Sequence, residues 1–248
     1  MKYKLTDESK AHAGVTLRRI RALKDVRDGV GAGDLGGWIE SEHNLAQDGA
    51  AWVFGDARVF GDARVFGDAR VFGNARVFGD ARVFGDARVF GDARVSGDAC
   101  VSGNASVSGD ACVSGNASVF GSAWVFGSAW VFGDARVSGD ACVSGNASVS
   151  GDARVFGDAR VFGSAGVSTP FPTAGRSDDY LFCVIPQKDG PVHVTAGCRD
   201  FTFAEARAHW SATRGGTPLG DETMAILDHL ERMARLKGWL IEDETAAA

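Results

Sequence analysis

Val53-Phe54-Gly55-Asp56-Ala57-Arg58 is followed at once by Val59-Phe60-Gly61-Asp62-Ala63-Arg64, and the same six-residue phrase runs on to Gly166. Nineteen units stand without interruption, with valine at every sixth position from 53 to 161. Glycine follows each valine two places later and alanine four places later, in the forms V-F-G-D-A-R and V-S-G-[DN]-A-x. A period of six suits neither a helix nor a simple hairpin meander. Within Ala-Arg-Val-Phe the residues alternate, so Ala and Val point one way while Arg and Phe point the other. Gly-Asp or Gly-Asn then marks a corner, where positive φ is cheap for glycine and tolerable for its neighbour. Strand, corner, strand, corner: the chain winds as a solenoid with an Ala/Val interior.

The repeat explains the composition. Of 248 residues 34 are glycine, and 19 of those stand at the corner position of the hexads. Glycine does not recur every third residue, which excludes collagen. Regular Val and Phe argue against disorder. No run of 18 apolar residues exists, so no membrane span is expected. Met1-Lys2-Tyr3-Lys4-Leu5 leads into polar sequence and does not read as a signal peptide, which makes a cytoplasmic location the expectation. The net charge of −6 argues weakly against a nucleic-acid partner.

The V-x-G-x-A-x pattern resembles the hexapeptide-repeat, left-handed parallel β-helix family. That resemblance implies a mainly β fold, a left-handed triangular parallel β-helix of about six 18-residue coils, roughly 30 Å long at the usual strand spacing. Leu17–Val53 resembles the N-terminal capping segment of uncharacterised β-helix proteins from phages and prophages. The words that carry this are L-R-R-I-R-A-L-K-D, G-D-L-G-G-W-I-E and N-L-A-Q-D-G-A-A-W-V-F-G. Cap and repeats together span about two-thirds of the chain and imply a phage or prophage context, but no established activity.

Three regions follow: an N-terminal cap at 1–44, the β-helix at 45–169 and a small α+β domain at 170–248. The cap holds a strand at 15–23. The C-terminal region holds strands at 180–185 and 192–196, joined across Lys188-Asp189-Gly190. Thr202-Phe203-Ala204-Glu205 is a capping box opening a helix to about Ala212. A longer helix is expected after Gly220 with Asp221 as N-cap. Its apolar stripe runs through Met224, Ile226, Leu227, Leu230, Met233, Leu236 and Leu240. This domain can close one end of the solenoid, whose two edges need caps.

An 18-residue register sorts the outward side chains onto three faces. Phe54, Phe72 and Phe90 lead one, Phe60 and Phe78 the second, Phe66 and Phe84 the third; Arg58, Arg76 and Arg94 stack beside them. The hexads hold ten Arg and twelve Asp, so ion pairs and Arg–Phe contacts are expected to moderate the like-charge rows. One coil differs. Phe120, Trp124, Phe126, Trp130 and Phe132 face outward between Val119 and Arg136, while Ser122 and Ser128 replace the corner aspartates. These five are the candidate partner-binding residues, an aromatic belt of low charge between stretches of Ser and Cys.

Hexapeptide acyltransferases, which the repeat resembles, typically use a histidine on or beside the coils and usually a loop excursion; His43 precedes the hexads, His193 follows them, and no loop interrupts them. Related carbonic anhydrases need three histidine ligands that the coils do not offer. Ice-binding Thr ladders are ruled out because 53–166 contains no threonine. Cys100, Cys112 and Cys142 fall on three different faces and cannot pair with one another, while Cys183 and Cys198 lie on or near adjacent strands. The remaining reactive set is Cys198, His193, His209 and His229 with Asp200 and Asp221, in the C-terminal domain. No catalytic residue, metal or cofactor is assigned. The expected function is a non-enzymatic scaffold whose partner is another protein or a further copy of the chain, a homo-oligomer. The alternatives are a self-assembling polymer and a small-molecule or host-defence effector-binding protein.

Overall fold

The computed structural model describes residues 1–187, 190–197 and 199–240. Three longer strands come first: β1 (Tyr3–His12), β2 (Val15–Ala22) and β3 (Leu35–Ile39). Twenty two-residue strands then follow at six-residue intervals, from β4 (Trp52–Val53) to β23 (Gly166–Val167). Each hexad strand pairs in parallel with the one 18 residues on, Arg88 and Val89 with Ser106 and Val107 for example. The result is a parallel β-solenoid with three sheets of ten, seven and six strands, the largest beginning with the antiparallel β1-β2-β3.

Every hexad valine and alanine is at most 3% exposed. Burial stabilises by about 1.5–3 kcal/mol for each valine, so the core is thin and backbone hydrogen bonds share the work. Arg88 N donates to Ala105 O, Phe90 N to Val107 O and Asp92 N to Gly109 O, each at 2.9 Å. At the corners the hexad glycines take φ from +54° to +73°. A Cβ on Gly91 would stand 2.9 Å from Gly109 N, so the stack as well as the dihedral demands glycine.

The outward phenylalanines stack face to face at 4.8–5.1 Å in the pairs Phe60–Phe78, Phe66–Phe84 and Phe72–Phe90, whereas Phe54 meets Phe72 edge-on. The expected Arg–Asp pairing does not form. Among the described residues no hexad arginine lies within 4.0 Å of a hexad aspartate, and none sits over a phenylalanine ring. Arginine rises from the strand while aspartate turns out at the corner, which holds the two rows apart.

The hydrogen bonds give the solenoid a direction. N–H groups at the arginine, phenylalanine and some corner positions of each coil donate to carbonyls of the next. The valine N–H donates back to the coil before, as the parallel pairing of Arg88 with Ser106 and Val89 with Val107 requires. The groups left open are therefore mainly carbonyls at the first coil and mainly N–H groups at the last. The N-terminal segment covers the first edge. Trp38 N donates to Ala57 O and Ala46 N to Val65 O, while Asn44 Nδ2 donates to Gly61 O (2.8 Å) and Ala63 O (2.9 Å). Lys2 Nζ reaches Ala51 O (2.9 Å), and Tyr3 Oη reaches Leu45 O (2.7 Å). Gly36 and Gly37 cross directly over Val53, where a Cβ at either would meet core atoms within 2.6 Å. Strand β2 matches the sequence expectation. β1 is a further strand, hard to foresee because Y-K-L-T-D-E-S-K-A-H has no clean alternation and its register shifts between Leu5 and Ser9.

The C-terminal region is an antiparallel sheet with two helices. Strands β24 (Thr173–Gly175), β25 (Leu181–Ile185), β26 (His193–Ala196) and β27 (Arg199–Thr202) pair in that order, followed by α1 (Phe203–Arg214) and α2 (Pro218–Leu236). Alternation along β25 divides its duties. Cys183 and Ile185 join the solenoid core, while Phe182 and Val184 join the cluster made with Trp210, Leu227 and Leu230 of the helices. The sheet therefore closes the last coil.

Thr202 and Glu205 form the expected capping box. Helix α2 starts earlier than the sequence reading placed it: Thr217 is the N-cap with Pro218 at the first turn, and Asp221 lies inside. Of its expected stripe Leu236 is 73% exposed, whereas Leu240, beyond the end of the helix, still packs on the cluster.

Candidate functional site

The aromatic coil is distributed over all three faces. Phe120 follows the strand Ser118–Val119 of the six-stranded sheet, Trp124 and Phe126 lie on the seven-stranded sheet, and Trp130 and Phe132 lie on the ten-stranded sheet. Trp124 and Trp130 are 59% and 58% exposed, and the three phenylalanines 37–39%. Trp124 meets Phe126 edge-on with centroids 6.4 Å apart. The five residues thus form a ring around the rod, with two Trp/Phe pairs on neighbouring faces. No single flat partner covers all five at once.

Beside one pair lies a notch that reading the belt alone does not reveal. Ser106 sits in the paired register between Arg88 and Trp124, and Ser108 interrupts the ladder between Phe90 and Phe126. These residues with Phe72 line a cavity of about 280 Å³. The signal was present in the sequence as a Phe-to-Ser change at one rung of the register. A missing ring leaves a gap two strand spacings wide between aromatic walls, a little under 10 Å.

Among the described residues the C-terminal reactive set is divided between the two faces of the sheet and the surface of α2. His193 Nδ1 lies 2.9 Å from Asp200 Oδ1 on one face of the sheet. His209 on α1 stacks against Phe201, the neighbour of Asp200 and so on the opposite face. His229 and Asp221 are exposed on α2, and Cys198 lies outside the described residues. Cys183 is buried against the solenoid, and burial pushes its thiol up to about 12, which keeps it protonated and unreactive. Cys100, Cys112 and Cys142 occupy three different sheets as free thiols. Burial raises the Cys100 and Cys142 thiols as well. Among the described residues no group of three or more His, Cys, Asp or Glu is placed to hold a metal ion, and no helix is long and apolar enough to cross a membrane.

Comparison with known proteins bears on the coils. A family model described as the YdcK beta solenoid repeat matches residues 69–85, 81–97, 87–103 and 153–169. A curated protein from Escherichia coli (strain K12), named "Uncharacterized acetyltransferase YdcK", is 39% identical over 61 residues, a stretch covering 21% of this chain and 18% of that protein. The chain thus matches less than a fifth of that relative's length. In its repeats, this chain is similar to YdcK-type β-solenoids.

Proposed function

We propose that this chain is a non-enzymatic scaffold, a capped β-solenoid that associates side by side with a second copy through its aromatic coil. The observation that carries the reading is the exposure of Trp124 and Trp130, near 60% each, in a coil stripped of charge. Between Val119 and Arg136 only Asp134 is charged inside the span, whereas the coils from 53 to 94 present Arg and Asp rows. Two copies meet there without burying unpaired charge or opposing like charges. Both ends are covered by non-repetitive segments, which favours lateral over end-to-end growth. The N-terminal resemblance supports a phage or prophage setting for this scaffold.

The name of the curated relative suggests acetyl transfer as the competing activity. Against it, no histidine lies between Val53 and Gly166, and the hexads run without an excursion in which to build a pocket. The likeness is a likeness of repeats, and repeats supply a scaffold rather than a reaction.

Sedimentation of the full chain at micromolar and submillimolar concentration tests the proposal. The wild type is expected to dimerise or trimerise. Trp124→Ala with Trp130→Ala weakens association by roughly a hundredfold, as expected for two interface anchors, with unchanged circular dichroism and melting. A wild type that stays monomeric, or a double variant that associates as before, overturns it.

A further inference from the structure

The C-terminal region contains a cavity of about 440 Å³ lined by β24–β25, β27 and α1, and its charge is opposite in sign to that of the chain. Arg176, Arg199, Arg214 and His209 line it, and Asp178 is the one acid among its lining residues. That acid is already committed. Arg176, with a side chain only 2% exposed, clamps Asp178 through Nε (2.8 Å) and Nη2 (2.9 Å) and donates from Nη1 to Thr223 Oγ1 (2.9 Å). The clamp cancels one charge of each sign and fixes the β24–β25 turn to α2. Asp178 is held below the usual carboxylate range by that hydrogen bond, so it stays an anion paired to Arg176.

Two cations remain. Arg199 and Arg214 have no acid within 4.0 Å among the described residues. Each has an ordinary explanation when taken alone: Arg199 marks an edge strand, and Arg214 complements the C-terminal end of α1. Neither explanation brings both into one concavity. Arg176 and Tyr180 form one wall, the arginine 5.0 Å above the tyrosine ring. His209 forms another, wedged between Phe201 and Trp210 at 5.0 and 5.4 Å.

We infer that this cavity is a binding site for a small oxyanion-bearing ligand, a phosphate or carboxylate compound with room for a ring-sized remainder. Paired guanidinium groups are the side chains best matched to such oxygens, because each presents two parallel donors. The net charge of −6 repels anions from the rest of the molecule, which sharpens the contrast at this one basic hollow. The inference is independent of the aromatic coil and does not require association.

Calorimetric titration of the full chain at constant ionic strength tests it, with inorganic phosphate, pyrophosphate and citrate as probes. Saturable one-to-one binding of at least one probe is expected. Preference for pyrophosphate or citrate identifies the ligand as a phosphate or a carboxylate compound. Arg199→Gln and Arg214→Gln, both exposed and without a side-chain partner among the described residues, each weaken binding about tenfold or more, the loss expected for one charge-assisted hydrogen bond. Arg232→Gln, an exposed arginine on α2 outside the cavity, leaves it unchanged. Absence of saturable binding for all three probes overturns the inference. Equal weakening by Arg232→Gln overturns it too, since that reports only diffuse charge.

Discussion

The two ends of the solenoid face opposite chemical problems and are closed by opposite means. Most N–H groups that bridge the coils donate forward, so the first coil is left mainly with carbonyls and the last mainly with N–H groups. The N-terminal cap accordingly supplies donors, namely Lys2 Nζ, Tyr3 Oη, Asn44 Nδ2 and the Arg27 guanidinium, which reaches Ala50 O at 2.9 Å. The C-terminal cap supplies an acceptor and an apolar lid. Pro186 O accepts from Gly166 N at 3.1 Å, and Cys183 and Ile185 complete the core. A proline carbonyl suits an edge that lacks acceptors, because proline adds no N–H of its own. The lesson is that a parallel stack of coils has a polarity, and the cap at each end is chosen by which half of the peptide group is left over.

The contrast is broken most severely at the apolar end. Ile185→Ala removes a side chain shared between the last coil and the C-terminal sheet, and is expected to cost about 2–5 kcal/mol by lost burial and an unfilled cavity. Urea unfolding followed by far-ultraviolet circular dichroism measures it, and a loss well under 1 kcal/mol would mean that the sheet does not seal the core. At the polar end Asn44→Ala leaves Gly61 O and Ala63 O without their donor and is expected to cost about 1–3 kcal/mol, a smaller effect of different origin. An Asn44→Asp variant, which keeps the volume but removes the donor, should be at least as damaging; a neutral Asn44→Asp would show that hydrogen bonding to that edge is not what matters.

Subtler still is the opposite pH response of the two ends. Burial lowers the Lys2 amine from 10.5 to about 8, so the unfolded chain binds more protons between those values and the Lys2 contribution to stability rises with pH from about 8 to 10.5. Burial raises the Cys183 thiol from 9.0 to about 12, so the folded chain binds more protons and its contribution falls as pH rises from 9 towards 12. The two slopes oppose each other between pH 9 and 10.5. Lys2→Met should therefore make stability fall more steeply there, and Cys183→Val should make it fall less steeply or rise. Urea midpoints across that range decide, and identical slopes in both variants would contradict the burial of either group.

The solenoid was legible from one hexad because each unit makes the same contacts with the unit 18 residues away. Val53, Gly55 and Ala57 already specify strand, corner and core. The flanks were less legible. β1 carries charge at nearly every second position because it is a cap edge rather than a core strand, and Thr217-Pro218, a threonine before proline, makes a stronger helix start than Asp221. Of the functional features, the belt of Phe120, Trp124, Phe126, Trp130 and Phe132 follows from the register, but its division among three faces needs the sheets. The basic cavity was not legible. Arg176, Arg199 and Arg214 are single arginines separated by more than a dozen residues, and only the antiparallel turn and the packing of α1 bring them together.

The central claim, on which the ladders, the belt and the polarity of the caps all depend, is the 18-residue register. Cysteine cross-linking tests it directly. With Cys100, Cys112 and Cys142 replaced by serine, the residue that already stands at the equivalent positions 106, 118 and 148, cysteines are introduced at Ser96 and Ser114 in one variant and at Ser96 and Ser102 in another. Positions 96 and 114 follow paired strands, in which Arg94 faces Cys112 and Val95 faces Val113, and stand one strand spacing apart, within disulfide reach. Positions 96 and 102 lie on different sheets. The account predicts rapid, near-complete intramolecular disulfide formation for 96 with 114 under mild oxidation and none for 96 with 102. Cross-linking of the second pair in preference to the first would contradict it.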